Sequence, residues 1–475
     1  MLPRSPLPRP SAAALDKARS LLDRALGPSK VIAAPDACEA YGGDESDQAP
    51  VAPDIVVLAA SPDDIAKALA AASEAGVPIT PRGAGSGKSG GCVPVAGGIV
   101  LATHGMNAIV EIARDELVAV VEPGVILSDL HAAVEAEGLF YPPDPNSVKM
   151  CALGGNIAEN ASGPRGFKYG ATRDYVLGLD VVTMSGARLA TGKRTVKGVT
   201  GYDVTSLLVG SEGTLAVTTR ATLKLIPRPE SVATLLCLFE DVNASGAAVS
   251  AIVAARLRPR CIELLDAATL QAVRDKGVPI DPRAGAMLLI EVDGSISACE
   301  SEMERVGQIC MDSRAIDVLA AQDTAQRERL WEARRMLSVA TRAMARYKIS
   351  EDVVVPRPRL PDLLRAIDHI AETTRVRMLS YGHAGDGNLH VNLLWNDPDQ
   401  APRIEEALGL LFRAVMAFRG TLSGEHGIGT SKADYLPLEQ SPDLIDLQKN
   451  LKAVFDPRGL LNPHKIFPRH GHGAC

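Results

Sequence analysis

The chain has 475 residues, 46% of them apolar, with 50 basic against 57 acidic side chains and a net charge of −7. That length and apolar content predict two or more packed domains and exclude a disordered chain. Basic residues scattered on an acidic background exclude a nucleic-acid surface, and no run of about 18 apolar residues supplies a membrane span.

The 8 cysteines are spread singly, without a Cys-x-x-Cys pair, as in a reduced cytoplasmic protein rather than a disulfide framework. Attachment to the inner face of a membrane is compatible with this. The first ten residues hold four prolines with Arg4 and Arg9 and no apolar core, so they do not read as a secretory signal.

Residues 1–13 read as loose, and Leu15, Ala18, Leu21, Leu22, Ala25 and Leu26 then recur at helical spacing. Ile55-Val56-Val57-Leu58 is a buried strand. Ser61-Pro62 caps the helix that follows, and Gly76 closes it. Val77-Pro78-Ile79-Thr80 resumes the sheet and empties into Arg82-Gly83-Ala84-Gly85-Ser86-Gly87, a loop whose backbone can approach phosphates. It is not a Walker loop, because Arg82 stands where the leading glycine of Gly-x-x-x-x-Gly-Lys belongs. A hairpin is expected across Arg114-Asp115-Glu116 and a short helix near 130–136. Helix spacing then follows the glycines of Leu153-Gly154-Gly155-Asn156-Ile157, and Leu179-Asp180-Val181-Val182 is a strand. Ile226-Pro227-Arg228-Pro229 marks a domain boundary.

Beyond it, strands at 233–239 and 287–292 alternate with helices at 244–255 and 298–310, which suggests a sheet covered on one face by helices. A helical stretch at 325–345 precedes Tyr347-Lys348-Ile349. His383 and His390 flank the turn Asp386-Gly387-Asn388, so a hairpin brings both imidazoles to one end of a sheet. Glu425 and His426 follow about thirty residues on. Two imidazoles and a carboxylate make a three-ligand set for a divalent metal, leaving an open position for substrate and His426 as a base. Zinc, manganese and iron(II) all suit this set. Asn392 lies two residues past His390, on the same strand face. Trp331, Arg334 and Ser338 share a helix face, and Arg335 points elsewhere. His470, His472 and Cys475 stand in a tail read as frayed.

The order of segments, Arg82–Gly87, then 154–163, Tyr169-Gly170 with Asp174, Gly210-Ser211-Glu212-Gly213-Thr214 and Asn462, resembles the FAD-linked oxidase family. This is the fold of vanillyl-alcohol oxidase, with a PCMH-type FAD-binding domain. The likeness is greatest to the D-2-hydroxyacid branch, which holds the glycolate oxidase flavin subunit, D-lactate dehydrogenase and D-2-hydroxyglutarate dehydrogenase. The fold so implied is α+β: a two-subdomain FAD-binding domain at 41–228 after a lead-in at 1–40, a substrate cap with the metal site at 229–454, and a C-terminal return at 455–475.

The resemblance further implies that Arg82, Gly83, Ala84, Gly85, Ser86 and Gly87 wrap the FAD pyrophosphate. Gly154, Gly155, Asn156, Ser162, Gly163, Glu212, Gly213 and Asn462 would lie along the flavin. No histidine stands between Gly83 and Gly98, so the FAD is expected to be non-covalent. Ala84 replaces a third glycine common in relatives and requires a negative φ there. His383, His390 and Glu425 become the metal ligands and His426 the base, with Arg334 binding the substrate carboxylate and Lys348 a second cation on the substrate side. The implied reaction removes the hydroxyl proton of a 2-hydroxy acid and passes hydride from its α carbon to flavin N5. D-Lactate and glycolate lead as substrates, ahead of D-2-hydroxyglutarate, for whose distal carboxylate Lys348 is the candidate.

Without a Gly-x-Gly-x-x-Gly unit, NAD is not expected as acceptor. A quinone, a cytochrome, or an iron–sulfur or second flavin subunit takes that role, and a homo-oligomer is compatible with all of these. Readings of another class are a metal-dependent hydrolase with structural glycine loops, or a non-catalytic flavin-binding subunit.

Overall fold

The computed structural model describes residues 7–469, apart from Lys276, Val278, Pro279 and Met336. The tail with His470, His472 and Cys475 and the first six residues lie outside the described residues, as does the side chain of Ser338.

The chain forms two compact units, neither contiguous in sequence. One takes 162–170 and 229–424, the other 3–161, 171–228 and 425–475. One of the divisions between the units falls between Arg228 and Pro229. The excursion of 162–170 has a physical cause: Lys168 Nζ and Tyr169 Oη both donate to the Asp293 carboxylate, 0% exposed at its side chain, which also holds Arg260.

In the flavin-type unit, the strands Ile55–Leu58, Ile99–Ala102 and Ile79–Arg82 run parallel, with Val31–Ile32 antiparallel at one edge. The unbroken apolar runs of Ile55–Leu58 and Ile99–Ala102 follow from burial on both faces. Val57, Ile79, Ile99 and Leu101 pack under the helices Ala12–Leu26 and Pro62–Ala75, while Val56, Val100 and Ala102 meet Cys38 on the other side. Ser61 accepts the N–H of Asp64 to start the second helix, and Gly76 ends it at φ 70°. A second sheet of five antiparallel strands contains Val176–Thr183 and Ala216–Lys224 and the hairpin at 109–121. From the C-terminal segment, Leu461 bridges to Ile79 and Asn462 N–H donates to Ile79 O at 2.8 Å.

The other unit is built on seven antiparallel strands, including Ser231–Phe239, Cys261–Asp266, Ala286–Gly294, Tyr347–Val354, Arg377–His383 and Asn388–Trp395. Helices cover both faces rather than the single face expected. Val242–Ala254, Ile296–Asp312, Leu360–Thr374 and Ala401–Ala417 form a layer on the face that holds Cys237 against Cys310. On the opposite face, Leu270 and Val273 of Ala267–Arg274 and Leu337 pack on Leu265, Leu379, Tyr381 and Leu394.

The histidine hairpin is Arg377–His383, a 3-10 turn at Ala384–Asp386, and Asn388–Trp395. Gly387 closes it at φ 76°, with Val355 O so near that a Cβ there would lie 2.1 Å away. Gly387→Ala should therefore cost about 1–3 kcal/mol, read as a lower urea midpoint; an unchanged midpoint would show that the turn is not under this constraint.

Candidate active site

Strand register decides which side chains meet. Glu263 pairs with His383, Tyr381 with His390, His390 with Asp352 and Asn392 with Ser350. Residues directly opposite or two apart share a face, so Glu263, His383, His390, Asn392, Asp352 and Lys348 all stand on one face of the seven-stranded sheet. The His383 and His390 rings meet edge to face with centroids 5.2 Å apart, and Tyr381 lies 5.6 Å from His390. Both histidines are buried.

Each histidine has a carboxylate behind it. Glu263, 0% exposed, lies 2.5 Å from His383 Nδ1, and Asp352 Oδ1 is 3.9 Å from His390 Nδ1. At His383 the carboxylate sits at hydrogen-bond distance on Nδ1 and fixes the ring, the usual bracing of a metal-binding imidazole; at His390 Asp352 is a nearby charge beyond hydrogen-bond reach. Asp352 is also held by Asn388 Nδ2 at 2.6 Å, Ser423 Oγ at 3.0 Å and the N–H of Gly424 at 2.9 Å. Gly424 ends this unit; the next two residues in the chain, Glu425 and His426, belong to the other.

Arg334 is 4% exposed, not on the surface as an isolated helix charge would be. Its Nε and Nη2 donate to Glu263 Oε2 at 2.7 and 2.6 Å, and its guanidinium lies 5.0 Å from the Tyr381 ring centroid. Burial alone would raise the Glu263 carboxyl, but the adjoining His383 and Arg334 charges outweigh it and bring it down to about 2. Trp331, one turn earlier on Thr324–Arg335, donates to Glu291 at 2.6 Å, so this helix face docks on the sheet through two carboxylates. Arg335 points away and pairs with Glu328. Lys348 Nζ is buried and donates to Thr341 Oγ1 at 2.6 Å. Asn392 is fully buried and donates to His390 O at 2.9 Å.

In the flavin-type unit an open cleft is lined by Arg82, Gly83, Gly154, Gly155, Glu212, Gly213 and Asn462, and also by Gly91, Cys92, Thr103 and Glu159. Ala84, Gly85, Ser86, Gly87 and Asn156 are not on its wall, and Ser162 and Gly163 fall in the segment that packs with the sheet unit. The positive φ of the loop falls on Gly85, at 75°, and not on Ala84. Arg82 is turned to Gly43 O at 2.6 Å and Cys92 Sγ at 3.1 Å, so its charge is engaged by protein. Burial pushes the Cys92 thiol up to about 11.

The cleft fits a large polar cofactor. A Cβ on Gly155 would meet nothing within 4 Å, and Asn462 Oδ1 is buried without a protein partner. Asn462 is itself fixed by bonds from its Nδ2 to Gly91 O and Glu212 O, at 2.9 and 2.8 Å.

Comparison with known proteins agrees with this architecture. Residues 53–192 match the FAD binding domain, and residues 228–466 match the C-terminal domain of FAD linked oxidases. The chain belongs to the FAD-linked oxidase family. It is 44% identical over 435 residues to the glycolate oxidase subunit GlcD of Bacillus subtilis, covering 90% of this chain and 92% of that one. It is 34% identical over 453 residues to a D-lactate dehydrogenase of Anaerostipes hadrus, covering 93% and 95%. Among solved structures, p-cresol methylhydroxylase superposes with a TM-score of 0.82 at 15% identity, over 97% of this chain and 98% of that one, which places the fold in the vanillyl-alcohol-oxidase type.

Glu263, Asp352 and Glu159 were not singled out in the sequence. A signal existed for Glu263: a carboxylate inside an apolar strand, as in Cys261-Ile262-Glu263-Leu264-Leu265, is almost never buried unless paired. Glu263→Gln leaves Arg334 buried without its anion and should cost about 3–5 kcal/mol in a denaturant titration. A loss below about 1 kcal/mol would mean that Glu263 does not hold the pair together.

Proposed function

We propose that this protein oxidises a small D-2-hydroxy acid, D-lactate or glycolate, to the 2-oxo acid with bound FAD and a divalent metal ion. The family membership and the named relatives make it an FAD-linked hydroxyacid oxidoreductase. The observation that carries the finer reading is the imidazole pair His383 and His390, each backed by a buried carboxylate on one sheet face. FAD, when bound, supplies a hydride acceptor, and the metal ion a Lewis acid for the substrate oxygen.

The chain supplies the rest. His383 and His390 hold the metal ion through their ring nitrogens, and Glu425 is the third ligand, giving a set that leaves room for substrate. His426 takes the hydroxyl proton on its imidazole. Arg334 binds the substrate carboxylate with the donors that Glu263 does not use, because a guanidinium presents five N–H groups in a rigid fork. Asn392 and Lys348 support the substrate side. Lys348 is buried and already donates to Thr341, which favours a monocarboxylate over D-2-hydroxyglutarate. Arg82, Gly83, Gly154, Gly155, Glu212, Gly213 and Asn462 form the FAD cleft, where glycine walls let backbone amides approach phosphates. The electrons leave to a quinone, a cytochrome or an iron–sulfur subunit; the Bacillus relative is itself named as a subunit. Among the described residues no helix is long and apolar enough to cross a membrane.

The test is an anaerobic visible spectrum of the FAD-loaded protein on addition of D-lactate, L-lactate, glycolate or D-2-hydroxyglutarate. Bleaching by D-lactate or glycolate is expected; bleaching by D-2-hydroxyglutarate alone would overturn the substrate assignment. His426→Ala should retain FAD and reduce it roughly 10²–10⁴-fold more slowly. Stripping the protein with a chelator should likewise slow reduction while leaving the yellow colour, and added zinc or manganese should restore it. Reduction indifferent to the chelator would remove the metal from the reading.

A further inference from the structure

The residues that follow His426 are held to their own unit by a dense set of polar contacts. The N–H groups of Ile428 and Gly429 donate to Oε1 and Oε2 of Glu212, at 2.8 and 2.7 Å. Those of Thr430 and Ser431 donate to Ser89 O at 2.9 and 3.2 Å. Gly427 has φ 83°, and a Cβ on it would lie 2.2 Å from Glu159 Oε2 and 3.0 Å from Glu212 Oε1. Two carboxyl groups therefore crowd the space beside this one glycine. Glu159 Oε2 is buried there with no hydrogen-bond partner in the protein, although the residue also reaches the wall of the flavin cleft.

We propose that Glu159 and Glu212 act as one positioning device for His426: Glu212 clamps the turn behind the base, and Glu159, as a neutral acid, holds Glu212 in place. Two carboxylates so close and so desolvated cannot both ionise. Two backbone N–H donors converge on Glu212 and favour its charged form, so the proton belongs on Glu159, whose unpartnered oxygen then becomes a donor beside Glu212. Burial raises both carboxyls; at Glu212 the N–H groups of Ile428 and Gly429 and the charges of Lys465 and Lys432 oppose it, whereas at Glu159 burial first, and then the charge of Glu212, hold the carboxyl well above its usual range. Asp44 and Lys465 also face it, the first adding to the shift and the second opposing it. Gly427 is required because any side chain there would strike both acids. The clamp thus explains a glycine, a buried acid and a conformation of the chain next to the base. It rests on the proposed role of His426 only for its effect on rate.

The experiment uses the full FAD-loaded chain as Glu212→Gln, Glu159→Ala and Glu159→Gln, with two readouts. Hydrogen exchange of the Ile428 and Gly429 amides should accelerate about 10- to 100-fold in Glu212→Gln, which faces one of them with an NH2 group, and in Glu159→Ala. Glu159→Gln, which keeps a neutral donor, should retain most of the protection. Flavin reduction by substrate, measured per FAD bound because both acids line the cleft, should slow by a similar factor in the first two variants with KM little changed. Unchanged exchange overturns the clamp, as does Glu159→Gln behaving like Glu159→Ala. Faster exchange with an unchanged reduction rate overturns the coupling to His426. His426→Ala checks the base separately: if it reduces FAD normally the base assignment fails, while the exchange result still decides the clamp.

Discussion

A single ionised carboxylate, wholly withdrawn from water, organises the sheet side of this protein. Glu263 lies in the strand Cys261–Asp266 with no exposed surface, and an unpaired charge there would be prohibitive. It is tolerated because His383 and Arg334 approach it from two sides, one from a neighbouring strand and the other from a helix. The pairing sets three things at once. It fixes the His383 ring through Nδ1, it docks the helix Thr324–Arg335 on the sheet, and it engages Nε and Nη2 of the guanidinium. Glu291 repeats the arrangement one strand over, taking Thr234 and Trp331 at 2.9 and 2.6 Å.

The other unit meets a different constraint. A dinucleotide must bring its phosphates against backbone, so the wall there is glycine and the polar work falls to amides and to asparagine. Carboxylates are used in that unit to hold chain. Glu212, expected to line the flavin, does reach the cleft wall, yet both its oxygens accept backbone N–H groups from the segment that follows His426. The same economy appears at Asp352, which takes the Gly424 N–H just before Glu425.

What could be read from the sequence follows from the range of the interactions. The histidine hairpin was legible because it is local: alternating apolar residues flank a turn whose glycine takes φ 76°. The strand at 55–58, the capped helix after it and the strand that resumes at 79 were legible for the same reason. The transfer of 162–170 to the sheet unit was not, because Lys168 and Tyr169 find Asp293 more than a hundred residues away. Nor was the burial of Arg334. From spacing alone it is an ordinary charge on a polar helix, and only a carboxylate 71 residues distant makes it a core residue. The second helix layer was missed because strand–helix alternation gives the order of elements but not the face each one takes.

Arg334 shows why long-range pairing matters for chemistry as well as for folding. An arginine free in a pocket would bind carboxylates through whichever edge they met first. With Nε and Nη2 fixed on Glu263 and the plane laid near Tyr381, rotation about its long side chain is arrested. The pair is close to neutral, so it attracts anions less strongly than a lone guanidinium, but its remaining donors point in one direction. For a reaction that must aim a single α C–H bond, orientation is worth more than affinity, because uniform tightening of substrate binding does not lower the barrier to the chemical step. The carboxylate that braces His383 and the one that holds Arg334 are the same group, so a shift of either partner is felt by the other. A substrate anchored by Arg334 and a metal ion held by His383 would then be placed by one buried oxygen pair, which makes Glu263 the common origin of both coordinates.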